Sequence, residues 1–239
     1  RLSSLVVNVH HEGPAESAEK VQITYLNDEK MHRVTADRVV MAGQQHLNKR
    51  VVTDLPESYR AAMDEFKHSP MLTVNVALRN WKFMDNMGVA SVRWFGDNMG
   101  GWFTSLRKQM VLDGEEPMPL DPEKPTVLTL YNSFCTPGLP LHEQTVAARM
   151  QLFSLSYADV ENEIRSQFTK MFGPGGFDAD RDIAGITLNR QGHAYIVTPP
   201  GFFFGKDGNP PPSDVIRQPH GRIAFAHSEL MGYQMWEGA

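Results

Sequence analysis

Gly221-Arg222-Ile223-Ala224-Phe225-Ala226-His227-Ser228-Glu229, followed at once by Gly232-Tyr233-Gln234-Met235-Trp236-Glu237-Gly238-Ala239, is the stretch whose reading decides the fold. Ile223 to Ala226 is a short continuous apolar run, the pattern of a buried strand. A tight turn carrying Glu229 comes next. Trp236-Glu237-Gly238-Ala239 then reads as a helix start. A buried strand, an acidic turn and a helix start in immediate succession point to α/β architecture.

The other end of the chain gives a matching picture. Leu5 to Val9 reads as one strand. Val21, Ile23 and Tyr25 alternate with polar residues as a second, and Asn27-Asp28-Glu29-Lys30 makes the turn after it. Val34 to Ala42 comes next, and its continuous apolar end, Val39 to Ala42, suggests a strand buried on both faces as in a parallel sheet. Asp54 stands where a helix N-cap belongs, with Pro56 tolerated in the first turn. Tyr59, Met63 and Phe66 then share one face.

Between these ends the pattern mixes strands and helices. Leu72, Val74, Val76 and Leu78 alternate over Met71–Leu78. Residues 81 to 105 suggest short strands and turns, 113 to 125 a loop with four prolines, and 126 to 131 another strand. Helices are expected over 143–155 and from Ser156, where Ser156-x-x-Asp159 resembles a capping box. Val160, Ile164, Phe168 and Phe172 recur every four residues on its apolar face. Gly173 stands where a left-handed C-cap is needed. Strands over 183–188 and 194–197, then a Pro- and Gly-rich loop over 198–212, complete the chain.

Composition narrows the function classes. The chain has 239 residues, 41% hydrophobic and 21% charged, with a net charge of −5. Long disorder is excluded, no run is long enough to read as a membrane helix, and no basic excess is present to hold nucleic acid. A single cysteine, Cys135, excludes an internal disulfide and a multi-thiolate metal site. Its neighbours Phe134 and Thr136 suggest a buried, inert thiol.

Several motifs fall short. There is no Walker A sequence and no Gly-x-Ser-x-Gly elbow. His142-Glu143 starts like a zinc-protease helix, but Val146 stands in place of the second histidine. His10 and His11 are adjacent on a strand, so they face opposite ways and cannot share one metal. Gly173-Pro174-Gly175-Gly176 comes after a helix, whereas a phosphate-cradling loop comes after a strand. No metal site is expected.

The C-terminal stretch resembles the signature of the flavin amine oxidases, Phe-Ala-Gly-x-Glu and then Gly-x-x-Glu-Gly-Ala. His227 takes the place of the glycine, and the spacing from Glu229 to Glu237 is shorter than in monoamine oxidases. Asn189-Arg190-Gln191-Gly192-His193-Ala194-Tyr195 is similar to the Asn-Arg-Trp-x-His-Gly-Tyr of the bacterial spermidine dehydrogenase branch, with Gln191 replacing the Trp and Ala194 the second Gly. The resemblance implies part of a Rossmann-like FAD domain, residues 1–50 and 213–239, with an inserted mixed-sheet and helix substrate domain, residues 51–212. The family's Gly-x-Gly-x-x-Gly fingerprint would precede Arg1. That, with an abrupt start at Arg1 and a stop at Ala239, reads as a portion of a longer protein.

The same resemblance implies the roles. FAD is the cofactor, and a small, polyamine-like amine the substrate. Val6 would meet adenine through its backbone. Glu229 would sit beside the ribityl and pyrophosphate portion and accept from ribityl hydroxyls. Trp236, Glu237 and Gly238 would aim a helix start at the flavin, and His193 and Tyr195 would face the substrate. The electron acceptor is oxygen or a quinone- or dye-like compound. The lysine that many members hold near flavin N5 matches Ala77 here, and no Lys occurs between Met71 and Trp81, which favours the second. A homo-oligomer, a cytoplasmic or a periplasmic home are left open. Other readings stand beside this one: an amino-acid oxidase presenting Arg79, Arg93 or Arg190 to a carboxylate, a desaturase-like enzyme, or a structural module that holds no FAD. Trp81, Trp94, Phe95, Trp102, Phe103 and Phe202-Phe203-Phe204 are candidate pocket aromatics whose ordinary role is core packing.

Overall fold

The strand over 71–78 is the clearest instance of sequence periodicity becoming structure. In the computed structural model, which describes residues 2–96, 100–106 and 120–232, it extends over Lys67–Leu78 as β5, and Leu72, Val74, Val76 and Leu78 are each 0 or 1% exposed. The chain divides into two compact units. One is Arg1–His68 with Tyr195–Ala239, the other Ser69–Ala194.

The second unit is built on a five-stranded sheet ordered β6 (Ser91–Gly96), β7 (Gly100–Ser105), β8 (Thr126–Ser133), β5 and β9 (Ile183–Val197). Helices α3 (Lys82–Asn86), α4 (Leu141–Ser154), α5 (Tyr157–Phe172) and α6 (Ala179–Asp182) complete it. The capping box forms at α5: Ser156 Oγ accepts the Asp159 N–H at 3.1 Å, and Asp159 Oδ2 accepts the Ser156 N–H at 2.8 Å. Val160, Ile164, Phe168 and Phe172 are all buried in one core with Phe83 and Phe177. Phe168 lies edge-on to Phe172, Phe177 and Trp94.

The first unit holds an antiparallel meander, β1 (Leu5–His11), β2 (Val21–Asn27) and β3 (Lys30–Ala36), and a separate parallel pair, β4 (Val39–Met41) with β10 (Ile223–Phe225). The β2–β3 turn is left-handed at Asp28 and Glu29, φ 51° and 59°, the two-residue form that matches strand twist. Helices α1 (Gln45–Val51), α2 (Glu57–Asp64) and α7 (Pro212–Arg217) pack with the strands around Val9, Val52, Met63, Phe66, Ile216 and Ile223.

The structure departs from the sequence expectations at identifiable places. The strand expected over 34–42 is two strands, because pairing with β2 ends at Ala36. Val40 is 63% exposed, so β4 is not buried on both faces. Pro56, not Asp54, is the N-cap of α2, since Asp54 turns toward His11 instead. Gly173 stays right-handed at φ −51°, a 3-10 turn runs through Pro174, and Gly176 takes the left-handed position at φ 97°. Cys135 is exposed: Phe134 takes the inward position, so its neighbour points out. The two strands expected over 183–188 and 194–197 are one, and α1, α3 and α7 had no distinct signal. The side chain of Phe103, most of the loop over 113–125 and the helix start at Trp236 lie outside the described residues. Among the described residues, no helix is long and apolar enough to cross a membrane.

Phe168 is fully buried among aromatic rings, so Phe168→Ala removes packing that cannot collapse into place. Its cost should be about 3–5 kcal/mol in denaturant unfolding, against less than about 0.5 kcal/mol for Lys170→Ala on the exposed side of the same helix.

Candidate functional site

β4 and β10 run parallel, with Val39 opposite Ile223, Val40 opposite Ala224 and Met41 opposite Phe225. The Ala226 N–H donates to the Met41 carbonyl at 3.0 Å, closing the pair. Both strands therefore deliver their carboxyl ends to one place. Ligand sites of parallel sheets lie there, because the segments that leave the strands present backbone N–H groups outward. After β4 the chain passes Gly43 into α1. After β10 it passes His227 into a 3-10 turn, Ser228–Met231.

Glu229 sits between the two exits and is 0% exposed. Its Oε1 accepts the backbone N–H of Gln45, the first residue of α1, at 2.5 Å. Its Oε2 lies 2.5 Å from His68 Nε2, on a histidine that is itself buried. An ionised carboxylate only accepts, so His68 Nε2 carries the proton of that bond. The His46 ring packs edge-on to His68, centroids 5.2 Å apart. His227, which stands where the amine oxidase signature has glycine, has a local job: its Nδ1 accepts the Glu229 N–H at 3.3 Å and caps the turn. A carboxylate removed from water is costly unless it is hydrogen-bonded, and each Glu229 oxygen has one such bond.

The start of α1 is equally polar. Asn48 Nδ2 donates to the Gly43 carbonyl at 2.8 Å and to Gln45 Oε1 at 3.1 Å. Gln45 is 0% exposed, and its Nε2 has no hydrogen-bond partner among the described residues. Gln45, Asn48, His46 and His68 carry no signal in the sequence. Only their meeting with Glu229, 184 residues from Gln45 and 161 from His68, marks them.

The other expected site residues are spread over both units. Val6 is on β1, 38% exposed and opposite Tyr25, and the bulge in that strand falls between Val6 and Asn8. His193 and Tyr195 are both on β9, flanking the buried Ala194, with Tyr195 45% exposed. Trp236, Glu237 and Gly238 lie outside the described residues. Trp81, Trp94, Trp102 and Phe202 are buried, while Phe95, Phe203 and Phe204 are exposed. Arg190 donates to the Leu155 carbonyl at 2.8 Å.

A second polar cluster joins three segments of the first unit. Asp54 Oδ2 accepts from the His11 backbone N–H at 2.9 Å and lies 2.6 Å from His11 Nδ1. His11 Nε2 accepts the Arg222 N–H at 3.0 Å. His220 Nε2 lies 3.1 Å from the Asp54 carbonyl, and its ring stands edge-on to His11. Gly221 between them has φ 57°, and a Cβ there would lie 2.5 Å from the Ala15 carbonyl oxygen. His11, Asp54 and His220 are close enough to be considered as metal ligands. Yet a metal on His11 Nδ1 would leave a proton on Nε2, facing the Arg222 N–H. The trio fits a hydrogen-bonded clasp.

No family model and no curated protein matches the sequence. Solved structures do match. Cyclohexylamine oxidase from Brevibacterium oxydans IH-35A is similar over 94% of this chain at 16% identity, with a TM-score of 0.58. A double mutant of putrescine oxidase, from a redesign of its cofactor binding, is similar over 95% at 17% identity, with a TM-score of 0.55. The chain spans less than half of either neighbour, 42% and 43% of their lengths. It has the fold of part of an amine oxidase.

Burial pushes the Asp54 carboxyl up, but hydrogen bonds from the His11 backbone and ring outweigh it and hold it below its ordinary 3.8. A lowered folded value stabilises the fold above the unfolded value, and that contribution fades as pH falls through the folded one. Asp54→Asn should therefore lower the melting temperature at neutral pH. In melts at a series of pH values, the gap to the parent chain should close below about pH 3.8.

Proposed function

We propose that this chain carries one side of the FAD site of an amine-oxidising enzyme, together with its substrate domain. The observation that carries the reading is the convergence of two parallel-strand exits on the buried Glu229 carboxylate and the start of α1. The amine oxidase fold of its structural neighbours supports it.

The residues present fit such a cofactor. A dinucleotide with sugar hydroxyls and phosphates needs both acceptors and donors. Glu229 supplies a carboxylate, and the buried Gln45 amide is a donor without a partner among the described residues. Val6 on the edge strand β1, and Trp236, Glu237 and Gly238 beyond Gly232, are proposed to hold the adenine and flavin ends. Bound FAD supplies hydride acceptance from the carbon beside the amine nitrogen, which leaves an imine for water to hydrolyse.

The chain's own residues position and tune. His68 and the Gln45 N–H fix the Glu229 carboxylate in one orientation, so it needs no reorganisation when a hydroxyl approaches. His193 and Tyr195, alternate residues of β9, are proposed to face the amine. The amine must be neutral to give up hydride, so a water-poor surface that disfavours the ammonium form serves the reaction. A quinone- or dye-like compound is the proposed electron acceptor, with oxygen the other.

FAD titration tests the reading. The protein expressed from its complete reading frame should bind FAD, and this chain alone should bind it weakly, because it lacks the dinucleotide fingerprint. Glu229→Gln keeps the side-chain volume and removes the charge. It should weaken FAD binding by about 1.5–3 kcal/mol, or roughly ten- to a hundredfold. Absence of FAD binding by the complete protein would sink the proposal.

A further inference from the structure

At the carboxyl ends of β4 and β10, the Gln45 side-chain donor has no partner among the described residues. We infer that the Gln45 side-chain amide is a direct cofactor-binding group, donating from Nε2 to an acceptor oxygen of the bound dinucleotide. This rests on the FAD reading above.

The orientation of the amide is fixed by its neighbour. The Gly43 carbonyl takes the Asn48 Nδ2 at 2.8 Å, so that atom is nitrogen and donates. It also reaches the near end of the Gln45 amide at 3.1 Å, which must then be oxygen. The far end is therefore Nε2, and among the described residues it has no hydrogen-bond partner although Gln45 is 0% exposed. Buried amide donors are almost always paired. A lone one beside a buried carboxylate, at strand exits where ligands bind, marks where a ligand oxygen belongs.

Glu229 and Gln45 then divide the work. Each Glu229 oxygen already accepts one bond within the protein, Oε1 from the Gln45 N–H and Oε2 from His68, and keeps a second lone pair for a ligand hydroxyl. Its bond to the Gln45 backbone anchors the residue whose side chain makes the new contact. A ribityl hydroxyl and a phosphoryl oxygen offer the same acceptor chemistry.

The experiment uses the protein expressed from its complete reading frame, with FAD, riboflavin and ADP as probes. Gln45→Met removes the donor while Asn48 keeps the Gly43 carbonyl. FAD should bind at least tenfold more weakly, while the melting temperature of the cofactor-free protein stays unchanged or rises. A matching loss for riboflavin assigns the contact to the ribityl chain, and a loss for ADP assigns it to the pyrophosphate. Gln45→Glu gives a chemical signature. It keeps the oxygen that faces Asn48 and should bind FAD poorly at neutral pH. Its affinity should recover toward that of the parent as acidification protonates the new carboxyl and restores a donor. Unchanged FAD affinity in Gln45→Met overturns the inference. So does a fall in cofactor-free stability that accounts for the lost affinity, or a Gln45→Glu variant without pH recovery. If the unsubstituted protein binds no FAD, the functional reading fails first; if it binds and Gln45→Met binds equally, only the Gln45 assignment fails.

Discussion

A single buried carboxylate ties the first unit together. Glu229 arrives at the end of β10, takes the first amide of α1 on one oxygen and His68 on the other. Those partners come from the opposite end of the sequence, so the bonds close only when β4 and β10 are already side by side. Removing a partner would leave a charge in a dry interior, which is among the costlier defects a fold can carry. The parallel pair, the α1 start and the beginning of β5 are therefore mutually dependent.

Packing in the second unit obeys a different logic. There the β5 face and the four-residue stripe of α5 bury aliphatic and aromatic side chains together. Asp182 is a buried carboxylate of this unit. Burial raises its carboxyl, and bonds from Arg181, the Asp178 N–H and Asn80 more than offset that and lower it. The first unit gathers buried polar groups at its strand exits beside its own apolar core.

The clasp of His11, Asp54 and the Arg222 N–H stands on the opposite side of β10 in sequence terms, before the strand rather than after it. Its bonds set where β10 begins, as those of Glu229 set the path of the chain beyond the strand's end. A strand of only three residues has few ladder bonds of its own, so contacts at both ends hold its register against β4. Side chains distant in sequence thus aim the carboxyl ends that form the site.

The sequence by itself determined what repeats locally. The period-two pattern of β5, the every-fourth-residue stripe of α5, its capping box and the strand–turn carrying Glu229 were all legible, because each depends on residues within a turn or two of one another. Tertiary structure alone decided the rest. Val39 to Ala42 looks doubly buried in sequence, but only neighbouring strands can bury it, and Val40 is exposed. Asp54 has the look of a helix cap, but the His11 backbone and ring compete for it and win. Gln45 and His68 carry no motif, and their meaning comes from a glutamate more than 160 residues away. Helix and strand periods are written in neighbouring residues. A buried polar site is a meeting of distant ones, which no local pattern encodes.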